Sequence, residues 1–553
     1  MGRIFERFMV GKTEFSCYDD FKENFKLKVP EDFNYAFDVV DVLAREQPDK
    51  LALVWCNDKG EKRNFTFSQM AQYVNKTANY FKSLGIQKGD KAMLILKRHY
   101  EFWFSILALH KIGAVVVPAT NLLTKKDVVY RNNSADIKMI VCTAEGDVAE
   151  HVAAAAPESV TLELMVMVGG QREGFLDFGR GMEAQSDVFQ RPVGDEATHN
   201  EDMMLLYFTS GTTGLPKMVC HDYLYPLGHL ATGVYWHNAK ADGLHLTVAD
   251  TGWGKAVWGK LYGQWMAETA IMVYDYNKFD PAELLSVIEK FGVTSFCAPP
   301  TIYRFFIKED LTKYDLKWNY CTIAGEPLNP EVYYQFLENT GIRLMEGFGQ
   351  TETTLSLATY CMMDPRPGSM GKPSPGYEIQ LLNDEGRLCE DGEYGEIVIC
   401  TDCGKPMGMF MGNYNDEEMT KSVWCDGIYH TGDIAWRDED GYYWYVGRSD
   451  DVIKSSGYRI GPFEVESALI EHPAVLETAI TGVPHPERGQ VVKATVVLAK
   501  GYRPSDDLAK ELQEHVKKVT APYKYPRIID FVEELPKTIS GKIRRVELRG
   551  DKK

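Results

Sequence analysis

The sequence lacks a long hydrophobic run and a recognisable targeting segment. No apolar stretch approaches the ~18 residues that cross a bilayer, so we expect no integral membrane segment. The first residues, MGRIFERFMVGKTEFSCYDDF, contain acids and no continuous apolar core, which is typical of neither a secretory signal nor a transit peptide. We therefore predict a cytoplasmic location.

An excess of basic residues and an ordered set of cysteines are also missing. The net charge of −18 over 553 residues argues against a general nucleic-acid binder, because nothing global attracts a polyanion. Lys and Arg are dense only at the C-terminal end, from 537 to 553. The eleven cysteines are an odd number without a framework, which indicates reduced thiols, and the lone pair Cys400 and Cys403 favours a coincidence over a zinc or redox site.

Short apolar runs alternate with longer amphipathic stretches from about residue 50 to 345. The runs include GAVVVPA (113–119), MMLLYF (203–208) and CTIAG (321–325), and FSQMAQYVNKTANYFKSLG and PAELLSVIEKFG have helical spacing. Strands alternating with helices predict an α/β fold, with parallel sheets covered by helices on both faces.

The pattern changes twice towards the C-terminal end. Short strands with Gly- and Asp-rich turns predict a β-rich subdomain at about 368–447, within a large N-terminal domain of residues 1–447. The polar, Gly-rich segment GRSDDVIKSSGYRIGP (447–462) indicates a linker. We predict a hinge at 448–450 and a small, mobile α+β domain at 451–553.

The segment YFTSGTTGLPK (207–217) is the strongest local signal. Glycines let backbone N–H groups point into one concavity, and Ser and Thr hydroxyls add donors, so this segment can cradle phosphate oxygens. It is not the usual P-loop, because Pro216 precedes Lys217 and Met218 follows it. The residues predicted to bind the nucleotide here are Thr209, Ser210, Gly211, Thr212, Thr213, Gly214 and Lys217.

TSGTTGLPK resembles the signature of the adenylate-forming superfamily, which includes acyl-CoA synthetases, luciferase and non-ribosomal adenylation domains. The likeness runs in order from about residue 35 to 549, and SSGYRIGPFEVESALIEHPAV and VTAPYKYPRIIDFVEELPKTISGKIRR are similar above all to medium-chain acyl-CoA synthetases. The resemblance implies an enzyme that uses ATP to convert a small carboxylic acid to acyl-AMP, with release of pyrophosphate. Coenzyme A then takes the acyl group and AMP leaves.

Further motifs imply the nucleotide and metal residues. GEP (325–327) resembles the loop on the adenine face, and EGFGQTET (346–353) resembles the next motif. The resemblance implies that Phe348 flanks the adenine, Thr351 bonds the α-phosphate and Glu352 holds Mg²⁺, an ion that proteins bind through one or two carboxylates together with phosphate oxygens.

Asp433, in YHTGD, and Arg448, in GRSDD, match family residues that bind the ribose hydroxyls. Beyond the phosphate segment, the implied nucleotide-binding set is Gly325, Glu326, Pro327, Glu346, Gly347, Phe348, Gly349, Gln350, Thr351, Asp433, Arg448 and Arg459.

Lys542, in PKTISGK, matches the family lysine that bridges the attacking carboxylate and the α-phosphate. An ammonium there neutralises charge that develops in the transition state, so Lys542, Thr351 and Glu352 are the implied catalytic residues. Relatives then rotate the small domain about a hinge that Asp450 matches. The residues implied to meet coenzyme A are Gly457, Tyr458, Arg459, Lys517 and Lys518, the last two being equally consistent with surface lysines.

ADTGWGKAVWG (249–259) resembles the motif that lines the acyl channel, with Trp253 as its gate. Acetyl-CoA synthetases have larger residues where this chain has Gly254, Ala324 and Gly349, so the resemblance favours medium, branched or aromatic acids over acetate. Lys255 either meets a polar substrate or points elsewhere.

Two alternatives remain open. One is an adenylation enzyme that loads an acyl or aryl acid onto a carrier-protein thiol, and the other is a non-catalytic nucleotide-binding protein on the same scaffold. The second predicts loss of Thr351, Glu352, Asp433 or Lys542, all of which are present. A homodimer is left open.

Overall fold

The computed structural model describes residues 3–209, 215–456, 458–537 and 543–549. Two large sheets lie in residues 3–448, which we call the head, and a smaller sheet lies in residues 451–549, which we call the tail. The mixed α/β architecture with a large N-terminal and a small C-terminal unit confirms the predicted fold class.

The first head sheet runs parallel through its middle and antiparallel beyond it. Strands pair in parallel from β1 through β11, β10, β12 and β13 to β14, and the pairing turns antiparallel at β14–β15. The antiparallel part includes the strands from 369 to 448 and continues the same ladder. Its strands are β1 (Leu51–Asn57), β2 (Lys62–Thr66), β10 (Leu244–Thr247), β11 (Ala270–Asp275), β12 (Ser295–Ala298), β13 (Tyr320–Ala324), β14 (Leu344–Gly349), β15 (Leu355–Ala358), β16 (Ser369–Pro373), β17 (Glu378–Leu382), β18 (Gly395–Cys400), β20 (Trp424–Cys425), β21 (Ile428–Arg437) and β22 (Tyr443–Arg448).

The second head sheet has the order β19-β9-β8-β4-β3-β5-β6-β7. It is parallel from β8 to β7 and ends in an antiparallel hairpin of β8 and β9. Its strands are β3 (Lys91–Ile95), β4 (Val115–Pro118), β5 (Ile137–Thr143), β6 (Leu164–Val168), β7 (Leu176–Asp177), β8 (Met203–Thr209), β9 (Lys217–Asp222) and β19 (Gly412–Asn413).

The tail sheet has the order β24-β23-β26-β25, with β27 added beside β26. Its strands are β23 (Ile453–Ser455), β24 (Tyr458–Ile460), β25 (Val475–His485), β26 (Gly489–Leu498) and β27 (Ile528–Val532). The sequence pattern predicted a linker up to residue 462, and this interpretation was wrong for its second half, because β23 and β24 pair there. The physical reason is a pair of opposed, buried isoleucines, Ile453 and Ile460, in an otherwise polar segment.

Helices cover the faces of the sheets. They are α1 (Tyr18–Asn24), α2 (Asp41–Glu46), α3 (Phe67–Ser83), α4 (Glu101–Ile112), α5 (Lys125–Ser134), α6 (Val148–Ala155), α7 (Phe178–Glu183), α8 (Tyr225–Leu230), α9 (Gly254–Lys260), α10 (Tyr262–Met266), α11 (Pro281–Phe291), α12 (Pro300–Phe306), α13 (Pro330–Thr340), α14 (Glu417–Val423), α15 (Pro462–Ile470), α16 (Asp506–Val519) and α17 (Arg545–Leu548). Among the helices of the described ranges, none has the length and apolar character needed to span a bilayer.

Local sequence explains where the predicted helices begin and end. Thr66 and Gln69 form a capping box at the start of α3, and Asp280 accepts a hydrogen bond from the backbone of Glu283 at the start of α11. Gly292 ends α11 in the left-handed conformation, which a residue without Cβ adopts at low cost. Capped in this way, the two helices bury their apolar faces against the sheets.

Candidate active site

The predicted phosphate segment lies at a hairpin of the second sheet. Thr209 and Lys217 are paired across β8 and β9, so the two ends of the segment between them lie side by side. Residues Ser210, Gly211, Thr212, Thr213 and Gly214 lie outside the described residues. The hydroxyl of Thr209 is buried and has no hydrogen-bond partner among the residues that the structure describes. This hydroxyl can donate to a phosphate oxygen.

Lys217 forms an ion pair with Glu352, which lies in the loop between β14 and β15. The Glu352 side chain is only 7% exposed, whereas the Lys217 side chain keeps 26% of its surface accessible. A buried carboxylate requires a positive partner. The pair therefore brings the end of the phosphate hairpin to the residue that the resemblance assigns to Mg²⁺.

The backbone around Glu352 is fixed by two hydrogen bonds. Nε2 of His221 lies 2.7 Å from the carbonyl oxygen of Thr351, and the N–H of Phe410 donates to the carbonyl of Glu352 at 2.7 Å. Burial lowers the pKa of His221 to about 3, so its ring is neutral at pH 7 and donates as an N–H imidazole. His221 thus orients the loop that carries Thr351 and Glu352.

A hydrogen-bond network joins Gln350 to the residues assigned to ribose. Gln350 donates to Asp433 and to the carbonyl of Thr431, the latter at 2.9 Å. Asp433 is buried, and it also accepts from the hydroxyl of Tyr445 at 3.2 Å and lies 3.4 Å from Arg448. The motifs at 346–353, 429–433 and 447–451 therefore meet in space.

The GEP loop follows β13 at the carboxyl end of the parallel strands, where ligands bind in open α/β sheets. Gly325 has φ of +103°, a conformation that L side chains rarely adopt. Next along the loop, before Pro327, the carboxylate of Glu326 accepts a hydrogen bond from Thr301 at 3.0 Å. Phe348 lies 6.3 Å from Tyr445, between centroids, so an aromatic pair borders this end of the site.

Glu346, a predicted nucleotide-binding residue, is buried. Its buried carboxylate accepts a hydrogen bond from the backbone of Leu328 at 3.2 Å, and burial raises its pKa to about 8. Glu346 therefore holds the segment that follows the GEP loop from beneath. Gly347 lies against the ring of Trp236, so a side chain at this position would have no space.

The segment 249–259, which resembles the acyl-channel motif, is bound to the second head sheet. Trp253 precedes α9 and is partly buried, and Thr251 donates to the carbonyl of Lys97. Lys97 lies 3.0 Å from both Glu145 and Asp275. These carboxylates and His99 are close enough to hold a cation, but the lysine ammonium already supplies the positive charge. This cluster ties the two sheets together behind Trp253.

The sequence did not identify Trp258, which fills the space between two of the predicted pocket glycines. A Cβ added at Gly349 would lie 2.7 Å from Cη2 of Trp258, and one added at Gly254 would lie 3.8 Å from its Nε1. The indole donates to the hydroxyl of Tyr225 at 2.7 Å, which fixes the ring. The available signal was its position four residues after Gly254, on the same face of α9. The room next to Gly349 is thus occupied by protein rather than left for the acid.

The tail residues assigned to coenzyme A are spread over its surface. Arg459 forms an ion pair with Asp384 of the head, and the ring of Tyr458 stacks on Tyr523 at 4.1 Å. Lys517 pairs with Glu514 of its own helix at 2.6 Å, and Lys518 is exposed. Gly457 lies outside the described residues.

Lys542 also lies outside the described residues, but the chain on both sides of it is described. Lys537 and Ile543 pair in an antiparallel bridge. Arg545 binds Glu466 at 2.7 Å and lies 3.8 Å from Asp451, directly after the predicted hinge residue Asp450. Burial raises the pKa of Tyr445, and the positive charge of Arg545 partly offsets that rise. The hydroxyl of Tyr445 donates a hydrogen bond to Asp433. The segment that carries Lys542 therefore begins and ends at the bridge of Lys537 and Ile543, two residues before Arg545.

Both the head and the tail match known protein families. Residues 40–412 match the AMP-binding enzyme family, and residues 464–542 match the AMP-binding enzyme C-terminal domain. The chain is 41% identical over 547 residues to acyl-coenzyme A synthetase ACSM3, mitochondrial, of Rattus norvegicus, covering 97% of this chain and 93% of that protein. It is 41% identical over 532 residues to acyl-coenzyme A synthetase ACSM5, mitochondrial, of Homo sapiens, covering 94% and 91%.

Two solved structures are similar over nearly the whole chain. The anthranilate CoA ligase AuaEII in complex with anthranoyl-AMP has a TM-score of 0.85 and 31% identity, covering 94% of this chain and 97% of that one. A benzoate CoA ligase from Burkholderia xenovorans LB400 has a TM-score of 0.81 and 27% identity, covering 94% and 100%.

Proposed function

The chain belongs to the AMP-binding enzyme family, and from this premise we propose that it is an ATP-dependent acyl-CoA synthetase. It activates a carboxylic acid larger than acetate as acyl-AMP, releases pyrophosphate, and transfers the acyl group to coenzyme A with release of AMP. The observation that carries the proposal is the meeting of Lys217 with Glu352 and of Gln350 with Asp433 in one cleft. These contacts support a nucleotide site with its phosphate end at Lys217 and its ribose end at Asp433.

Each side chain has a role that its chemistry allows. Lys217 and the hydroxyl of Thr209 bind the phosphates, while the carboxylate of Asp433 accepts hydrogen bonds from vicinal ribose hydroxyls. The Thr351 hydroxyl donates to the α-phosphate. The Lys542 ammonium then neutralises the charge that develops as the acid's carboxylate attacks phosphorus. Acyl-AMP forms as the bond to pyrophosphate breaks.

Magnesium binding is part of the proposal. Glu352 is a buried carboxylate beside the phosphate hairpin, and a carboxylate together with phosphate oxygens is the ligand set that Mg²⁺ prefers. The ion would neutralise phosphate charge when it is bound. We expect Glu352→Gln to lower acyl-adenylate formation by about 10²–10³ and to raise the Mg²⁺ concentration needed for half-maximal rate. The variant Glu417→Gln, on an exposed helix, is the matched control.

The deciding experiment measures both half-reactions with the full chain. Pyrophosphate release is followed across a panel of aliphatic and aromatic acids, and thioester formation is followed by mass spectrometry with free coenzyme A. We expect both with at least one acid. Pyrophosphate release without a coenzyme A thioester would favour a carrier-protein thiol as the acceptor, and silence across the panel would refute catalysis.

Location and assembly need their own measurements. We keep a cytoplasmic location as a proposal, while the mammalian relatives named above are described as mitochondrial. Imaging of the full chain with a C-terminal fluorescent tag would separate the two compartments. A homodimer also stays a proposal, and light scattering after size exclusion would detect it as a doubling of the 62.6 kDa mass.

A further inference from the structure

The N-terminal helix α1 is bound to the turn that joins β16 to β17 in the first head sheet. The hydroxyl of Tyr18 donates to the carbonyl oxygen of Pro373 at 2.8 Å. The ammonium of Lys22, one helical turn further on, donates to the carbonyl oxygens of Ser374 and Tyr377, at 3.3 Å and 2.7 Å. Two side chains on one face of α1 therefore hold both ends of this turn.

Apolar packing supports the same attachment. Phe21, which lies between these two residues on α1, is fully buried, and its ring lies 4.8 Å from the ring of Tyr360, between centroids. The hydroxyl of Tyr360 donates to Ser374 at 2.5 Å, and Ser374 donates to the carbonyl of Leu355 in β15 at 2.5 Å. The turn is therefore bound to α1 on one side and to β15 on the other.

From this turn, Tyr377 reaches the loop between β14 and β15. Its hydroxyl accepts a hydrogen bond from the backbone N–H of Thr354 at 3.0 Å and lies 2.9 Å from the Thr354 hydroxyl. Tyr377 is buried, and burial raises its pKa to about 12, so the hydroxyl stays protonated at pH 7. Tyr377 therefore fixes the C-terminal end of the loop that carries Thr351 and Glu352.

Contacts from three different elements fix this loop. His221 holds the carbonyl of Thr351, and the N–H of Phe410 holds the carbonyl of Glu352. Tyr377 holds the third point, and this contact leads back to α1. The exact position of the loop matters, because a displacement of about 1 Å at a reacting group can cost about 10²-fold in rate.

We propose that Lys22 and Tyr377 are positioning residues for acyl-adenylate formation: α1 holds the turn, and the turn holds the loop that presents Thr351 and Glu352 to the nucleotide. This inference rests on the proposed acyl-CoA synthetase function. In that mechanism, Mg²⁺ and pyrophosphate take part in the first half-reaction, and supplied acyl-AMP bypasses it. Loss of either positioning residue therefore slows the first half-reaction more than the second.

The test uses the full chain and an acid that wild type activates. It measures kcat and KM for ATP by pyrophosphate release, and thioester formation from supplied acyl-AMP. Tyr377→Phe removes the hydroxyl and should lower kcat for pyrophosphate release by about 10–10², with a smaller change in KM and in thioester formation. Equal losses in both half-reactions would contradict the positioning role.

The matched control for the lost hydroxyl is Tyr442→Phe. Tyr442 is also buried, and its hydroxyl donates to the carbonyl of Asp364 at 3.0 Å. This control should lose comparable stability without separating the two half-reactions. A control that separates them as Tyr377→Phe does would show that the effect is merely structural.

The variants of Lys22 test whether α1 acts through the turn. Lys22→Met should show the same selective loss, and Lys22→Arg should restore most of kcat, because a guanidinium can also donate to two carbonyl oxygens. The matched control is Lys26→Met, which removes an exposed charge just after α1 and should change neither half-reaction. In Lys22→Met combined with Tyr377→Phe, kcat should equal that of Tyr377→Phe alone. Losses that multiply in the double variant would overturn the inference.

Failure of catalysis gives a different result. If wild type releases no pyrophosphate with any acid, the proposed function fails, and hydrogen exchange of the peptide that contains residues 350–354 still decides whether α1 holds the loop. Faster exchange in Lys22→Met than in Lys26→Met supports this link. Equal exchange in the two variants contradicts it.

Discussion

We expect Trp258 to set the depth of the proposed acyl pocket, so its replacement by leucine should shift the preference towards longer acids. The ring lies between Gly254 and Gly349. Leucine is smaller than tryptophan by roughly the volume of two methylene groups, and we take that as the space opened. Each buried methylene contributes about 0.8 kcal/mol, and two contribute about 1.6 kcal/mol. This free energy corresponds to a gain of about 15-fold in relative kcat/KM for an acid two carbons longer.

The assay measures kcat/KM by pyrophosphate release over a homologous series of straight-chain acids. Trp258→Leu also removes the hydrogen bond to Tyr225, so a lower melting temperature is expected beside the shifted preference. Trp265→Leu is the matched control, because Trp265 is fully buried and its indole donates to Ala52 at 3.0 Å. This control should lose comparable stability without changing the ranking of acids.

One outcome would refute the reasoning about the pocket. If Trp258→Leu is folded and active but ranks the acids as wild type does, the indole does not border the acyl chain. The same result would remove Gly254 and Gly349 from the pocket, because both contact this ring. Enlarging Gly349 does not test this contact alone, since a Cβ there would lie 2.3 Å from the carbonyl oxygen of Thr354 as well as 2.7 Å from Trp258.

Three further predictions concern the lysine, the buried acid and the tail. Lys542→Ala should lower acyl-adenylate formation by about 10²–10³ and spare thioester formation from supplied acyl-AMP, and equal losses in both assays would contradict its assignment. Burial raises the pKa of Glu346 from 4.5 to about 8, so its contribution to stability is full below pH 4.5 and is lost as pH rises through about 8. The melting temperature of Glu346→Gln should therefore fall less steeply over that range, and a slope equal to that of wild type would count against the shifted pKa. Arg459→Ala should slow thioester formation by a larger factor than pyrophosphate exchange. Asp384→Ala, which removes only the exposed partner of Arg459, should change neither rate, and equal effects of the two variants would point to the ion pair alone.

Much of the fold and of the arrangement of the candidate site could be predicted from the sequence, because both depend on local sequence patterns. Apolar runs and capped helices predicted the α/β class. The motifs converge because Lys217 begins β9, Glu352 follows β14 and Asp433 lies within β21, in the two head sheets. Trp258 could not be placed, since its contact with Gly349 depends on how α9 packs across the first sheet. Likewise, the hairpin at 453–460 depends on two isoleucines that matter only once they pair.

The antiparallel end of the first head sheet has a practical consequence. Phe348 and Asp433 lie in strands of one continuous hydrogen-bonded ladder, so we expect these two proposed nucleotide-binding residues to move little relative to each other. The tail, in the described pairings, has a ladder of its own and joins through a few residues after Arg448. We therefore expect that the tail can be exchanged between relatives, which would test whether the head selects the acid and the tail selects the thiol.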